Sequence, residues 1–180
     1  MDGNFRSALL LIVALGLAPA AVAVTCGNEH PAVPATTPGT DFADNGDGTV
    51  THTRTGLMWM RCSLGQTWDG SVCSGTAGTY TWQQALRAAV DLNASGGYAD
   101  HVDWRLPNKN ELESIVEERC WSPAINAAVF PGTPANSWYW SSTPDAGNAG
   151  HAWNVYFGEG NVYTDGKGYS DHVRLVRFGE

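Results

Sequence analysis

Basic residues are scarce in this sequence. Ten Lys and Arg stand against 18 Asp and Glu, giving a formal charge of −8, and the cations are spread singly with no cluster. A surface of that sign repels polyanions, which argues against nucleic acid as a partner. Cysteine is missing beyond Cys120, and none of the five histidines stands at metal-ligand spacing from another or beside a cysteine pair. Ser141 and Ser142 lack the G-x-S-x-G frame of a nucleophile elbow. No internal repeat and no collagen-like or coiled-coil segment is present. Nothing here specifies a cofactor, a metal centre or a catalytic set, and the expectation is a non-enzymatic domain. A hydrolase whose groups are brought together only by folding is the third-ranked alternative.

A second long apolar run is also missing. The first one, Ala8 to Leu17, follows Arg6 and leads to Ala21-Val22-Ala23. That is the layout of a secretory signal peptide with its small-x-small cleavage site, expected over residues 1–23. Spanning a membrane takes about 20 apolar residues, and Gly16 and Pro19 interrupt this run, so no membrane span is expected after cleavage. The remaining chain has the length of one domain, and its expected location is secreted, periplasmic or cell surface.

What is present fits an oxidising compartment. Four cysteines allow three pairings. Cys62 and Cys73 bracket a short polar loop that is easily closed, worth about 3 kcal/mol in the chain-entropy model. That leaves Cys26 to reach Cys120 across most of the domain. A lipid-modified Cys26 is the rival reading, weakened by Thr25 directly before it. Eight Trp, six Tyr and five Phe are a heavy aromatic load, and 21 Gly imply many tight turns.

Along the chain, residues 24–41 carry Pro31, Pro34 and Pro38 and read as an extended lead-in, followed by a folded domain over 42–180. Thr49 to Thr53 and Leu57 to Arg61 flank a turn at Arg54-Thr55-Gly56 and read as a β-hairpin. Thr81 and Gln84 form a capping box ahead of Trp82, Ala85, Leu86, Ala89 and Val90, an amphipathic helix ended by Gly96-Gly97. Asn108 and Glu111 repeat the box, and the apolar spacing of Leu112, Ile115 and Val116 predicts a second helix to about Glu118. The period then becomes two. Trp153, Val155 and Phe157 fall on one face, Asn154 and Tyr156 on the other, and a last strand covers His172 to Phe178. The fold class is α+β, with an N-terminal β-hairpin, two clustered helices, short antiparallel strands and long loops.

Five motifs in this order carry a resemblance: Asp44-Asn45-Gly46-Asp47-Gly48-Thr49-Val50, Thr55-Gly56-Leu57-Met58-Trp59, Asp103-Trp104-Arg105-Leu106-Pro107, Tyr139-Trp140-Ser141-Ser142 and Val173-Arg174-Leu175-Val176-Arg177. Over about residues 42 to 178 the chain resembles the family named for the C-terminal domain of the Legionella collagen-like protein. The segment leading into the second helix and the late aromatic strands also resemble the wider C-type-lectin-like group, which includes formylglycine-generating enzymes. The resemblance implies a C-type-lectin-like fold and a secreted or cell-surface binding or adhesion domain. The named member acts on sulfated glycans through basic residues, which a charge of −8 does not suit. Formylglycine generation needs a late cysteine pair that this chain lacks.

Among the candidate sites, Asp41, Asp44 and Asp47 could offer oxygen to Ca²⁺. Without a glutamate at the twelfth loop position, a Gly-rich turn is the preferred reading. Trp59, Trp82, Trp104 and Trp153 are expected to pack in the core, and Arg105 to pair with Asp100 or Asp103. Strand alternation points Asn154, Tyr156 and Tyr163 outward beside Gly-rich loops, and these three are the expected ligand-binding residues. Aromatic faces beside amides suit a glycan or an envelope protein. A structural role in a surface or pilus-like assembly is the runner-up.

Overall fold

The computed structural model describes residues 24–179; the expected signal peptide at 1–23 lies outside the described residues. The chain is α+β and its sheets are antiparallel. The first strands are β1 (Asn28–Glu29), β2 (Phe42–Asp44), β3 (Thr49–His52), β4 (Leu57–Met60), β5 (Thr67–Trp68) and β6 (Cys73–Ser74). Two helices follow, α1 (Trp82–Ala94) and α2 (Lys109–Glu113). Then come β7 (Cys120–Trp121), β8 (Trp138–Pro144), β9 (His151–Tyr156), β10 (Asn161–Gly166) and β11 (Val176–Phe178).

The hairpin forms where the alternation placed it. Thr49 pairs with Met60 and His52 with Leu57, and the turn between them lets Gly56 take a φ of +69°. The C-terminal strand β11 joins the far side of β4, giving a four-stranded sheet in the order β11-β4-β3-β2. A three-stranded sheet, β10-β9-β8, stands apart from it. Between the sheets lies one core cluster with Trp59, Leu112, Ile115, Phe130, Tyr139, Val155 and Phe157. A second cluster joins Ala85 and Ala89 of α1 to Trp104, Leu106, Trp140 and Leu175.

Both capping boxes are present. Thr81 and Asn108 accept from the N3 backbone, while Gln84 and Glu111 return the contact to the cap residues. Two expectations about the helices need correction. Val90 is 64 % exposed, because α1 covers the core with Ala85 and Ala89 and leaves Val90 on its flank. The second helix stops at Glu113 with Ser114 as its C-cap, well short of Glu118. Its apolar spacing still buries Leu112, Ile115 and Val116, but tight turns carry the last two inward.

Glu117 explains that early stop. It is fully buried, and its carboxylate accepts from the backbone N–H groups of Thr36, Thr37 and Arg119. Burial works against its charge, yet those donors hold its carboxyl below the ordinary range. The lead-in therefore packs as a strap over the end of α2. It is held by Glu117, by the pairing of β1 with β7 and by the ion pair of Arg119 with Glu29.

Disulfides join Cys26 to Cys120 and Cys62 to Cys73. The first anchors the strap beside β7; the second closes the loop that carries β5 and β6. Among the described residues no cysteine is free, and no helix is long and apolar enough to cross a membrane.

Candidate ligand face

β9 is the central strand of its sheet, and most of both its faces are covered. Val155 faces the first core cluster, while Ala152 on the opposite face lies in the second. This overrides the simple in-and-out reading of the strand. Asn154 is fully buried and cannot present its amide to a ligand at the surface, a correction to its expected outward role. Its Nδ2 donates to Asp171 Oδ2 at 3.0 Å, and its Oδ1 has no partner among the described residues. Burial, reinforced by the charge of Asp165, pushes the Asp171 carboxyl above its ordinary value. Trp153 is also corrected: it is only half-buried, with the Lys109 ammonium 5.1 Å from its ring centre.

At the end of the sheet the cover runs out, and three rings meet. Trp138 of β8 stands opposite Tyr156 of β9, the two rings stacked with centroids 4.5 Å apart. Tyr163 of β10 meets Trp138 edge-on at 5.2 Å and is 47 % exposed. Such offset and edge contacts fix ring orientation while leaving faces free. Polar groups border the rings. Tyr156 Oη donates to Asn136 Oδ1 at 3.4 Å, which also accepts from Ser122 Oγ, and Asn161 pairs with Tyr156 across the strands. Asn136 and Asn161 are both exposed. Tyr156 and Tyr163 are thus brought together, and Trp138 is the member of the set that alternation alone did not single out. Its sequence signal was Trp138-Tyr139-Trp140, in which the middle ring faces the inter-sheet core.

The remaining candidates are engaged structurally. Asp44 Oδ1 accepts from Gly46 N–H, and its Oδ2 pairs with Arg61 at 2.7 Å. Asp47 accepts from the backbone and hydroxyl of Thr49, and Asp41 pairs with Arg54. The aspartates therefore build the turn and its flanks. Ser141 Oγ donates to the Trp153 carbonyl, and His172 Nδ1 lies 2.8 Å from the Gly78 carbonyl. Arg105 does not pair with Asp100 or Asp103 as expected. Glu111, already turned back to cap its helix, takes the guanidinium through two bonds of 2.7 and 2.8 Å, and Asp103 pairs with Arg177 instead.

The family model of the Lcl C-terminal domain matches residues 48–177. No curated protein matches the chain.

Proposed function

The chain belongs to the Lcl C-terminal domain family, and from that premise we propose that it is a non-catalytic binding domain of C-type-lectin-like architecture, exported and adhesive, whose ligand face is the Trp138, Tyr156 and Tyr163 shelf. The observation that carries this reading is the stack of half-buried Trp138 and Tyr156 with the exposed Tyr163 at the end of the sheet. Exposed aromatic faces are costly to leave wet unless something covers them. Their bordering amides, Asn136 and Asn161, are exposed and carry donors and acceptors of the kind that meet sugar hydroxyls. A neutral glycan suits this combination better than the sulfated polyanion of the family's named member, because the formal charge is −8. Two disulfides fit work in an oxidising compartment.

A glycan array probed with the purified domain, repeated with Tyr163→Ala, tests the shelf. Losing one ring face is expected to weaken binding about tenfold, near 1.4 kcal/mol, with the fold intact. Binding that ignores the substitution removes the site. The runner-up, a structural part of a surface assembly, rests on β10 pairing, among the described residues, only with β9 and so standing at the edge of its sheet. Concentration-dependent association in sedimentation, lost on placing a proline in β10, would favour that reading instead.

A further inference from the structure

The strap, the end of α2 and the β3–β4 turn border a cavity of about 460 Å³. His52, Arg54, Thr55, Glu113, Glu118 and Gly160 line it. His52 is 4 % exposed, yet its Nε2 has no hydrogen-bond partner among the described residues. The ring is fixed by stacking on Phe42 at 4.6 Å and by Thr55 Oγ1 at 3.1 Å from Nδ1. A buried polar atom without a partner is costly, and a ligand that supplies one recovers that cost on binding. Burial lowers the imidazole's proton affinity, with the charge of Asp41 opposing and that of Arg54 assisting, so the ring is neutral at pH 7. Either tautomer then leaves Nε2 needing a single partner, as donor or acceptor, and a hydroxyl serves both roles.

The charges around the cavity point to the rest of the ligand. Among the described residues Arg54 is its only lining cation and is paired with Asp41 at 3.2 Å, whereas Glu113 and Glu118 are exposed and make no ion pair. A second cavity, of about 540 Å³, shares Glu118 and adds Glu159, Asn161, His30 and Trp121. The two are continuous around the β9–β10 turn, since Gly160 lines one and its neighbours Glu159 and Asn161 line the other. Trp121 is 42 % exposed and lies beside His30, ring centres 6.1 Å apart. The groove thus carries three carboxylates, one open indole and one buried hydrogen-bonding nitrogen. We propose that it is a second ligand site, for a glycan whose sugars carry free amino groups. Ammonium groups answer the carboxylates, a ring face rests on Trp121, and a hydroxyl reaches His52.

This site shares Asn161 with the edge of the shelf but none of its three rings, so its test is separate. The full chain after signal removal is titrated calorimetrically at low salt with a tetramer of glucosamine, with its N-acetylated counterpart, with a glucose tetramer and with tetralysine. The inference requires the glucosamine tetramer to bind at least tenfold tighter than the other three. It also requires Glu118→Gln to weaken that binding about tenfold and Tyr163→Ala to leave it unchanged. A ¹⁵N shift of His52 Nε2 on saturation reports the hydroxyl contact, and Glu159→Gln, at an exposed residue, serves if the Glu118 variant folds poorly. Equal binding of the acetylated tetramer would overturn the role of the amines, and equal binding of tetralysine would overturn the sugar. Absence of binding, or loss through Tyr163→Ala alone, would overturn the site.

Discussion

Replacing Glu117 by glutamine tests how the strap is held. In the native chain Oε1 accepts from Thr36 N–H at 2.9 Å, Thr36 Oγ1 at 3.3 Å and Arg119 N–H at 3.0 Å. Oε2 accepts from Thr37 N–H at 2.7 Å and Thr37 Oγ1 at 3.0 Å. Glutamine keeps the volume but turns one oxygen into an amide donor, so at least one backbone N–H faces another donor whichever way the amide is turned. Hydrogen bonds to a charged acceptor contribute about 1.5–3 kcal/mol each, and a stranded buried donor costs about 1–3 kcal/mol more. Some relaxation of the strap offsets this, and we expect Glu117→Gln to destabilise the domain by about 3 kcal/mol, measured by urea denaturation at pH 7. For a domain of this size that is a fall in Tm of about 6–12 °C. The pH dependence supplies an internal control. The folded carboxyl lies below its ordinary 4.5, so its stabilisation is fully present above that value and is lost as pH falls through the folded value. The difference between native and variant should therefore shrink in acid. Equal urea midpoints at pH 7, or a difference that persists undiminished in acid, would refute the role assigned to the carboxylate.

Gly158→Ala acts on the shelf from below. A Cβ there would run into the Tyr156 ring, so the ring must swing off Trp138. The expected result is an altered near-UV circular dichroism spectrum and weaker ligand binding with far-UV signal retained; an unchanged near-UV spectrum would show that the stack tolerates the methyl. Arg174 is fully buried and donates to the carbonyls of Met60 and Arg61 and to Thr133 Oγ1, with the Phe130 ring 4.7 Å from its guanidinium carbon. Arg174→Met is expected to cost about 2–4 kcal/mol by urea denaturation, because several buried acceptors lose their donor at once. Arg174→Lys should recover little of it, since one ammonium cannot span the same fork.

The elements fixed by neighbours in sequence were legible before folding was considered. Both capping boxes depend on side chains three residues apart, and the hairpin turn on Gly56, so each could be read locally. The disulfide of Cys62 with Cys73 follows from loop closure, and that of Cys26 with Cys120 from what remained. The end of α2 was not legible, because it is set by contacts about 80 positions away: the donors of Thr36 and Thr37 require Glu117 where a continued helix would not put it. Arg105 failed for a related reason. Asp103 is nearer in sequence, but Glu111 is already aimed backward by its capping duty and Arg177 arrives on β11 to claim Asp103.

The ligand face shows the same division within a single strand. Alternation along β9 gave the phase correctly, with Asn154 and Tyr156 on one side and Val155 on the other, but phase says nothing of what covers each side. On the side of Asn154, Trp140 and Ala152 are roofed by α1 and its core cluster, and the roof extends over Asn154 while stopping short of Tyr156. Two residues of equal phase thus have opposite fates, one a buried amide holding Asp171 and the other a ring at the surface. Trp138 joins Tyr156 only through the pairing of β8 with β9, whose register shifts between Trp140 and Pro144 and so could not be counted back from the intervening loop. The exposed stack is therefore a product of where the roof ends and how the strands are registered, both set by tertiary contacts. A substitution that extends the roof without touching the rings, such as Asn161→Trp beside Tyr156, should abolish binding at the shelf while preserving the stack.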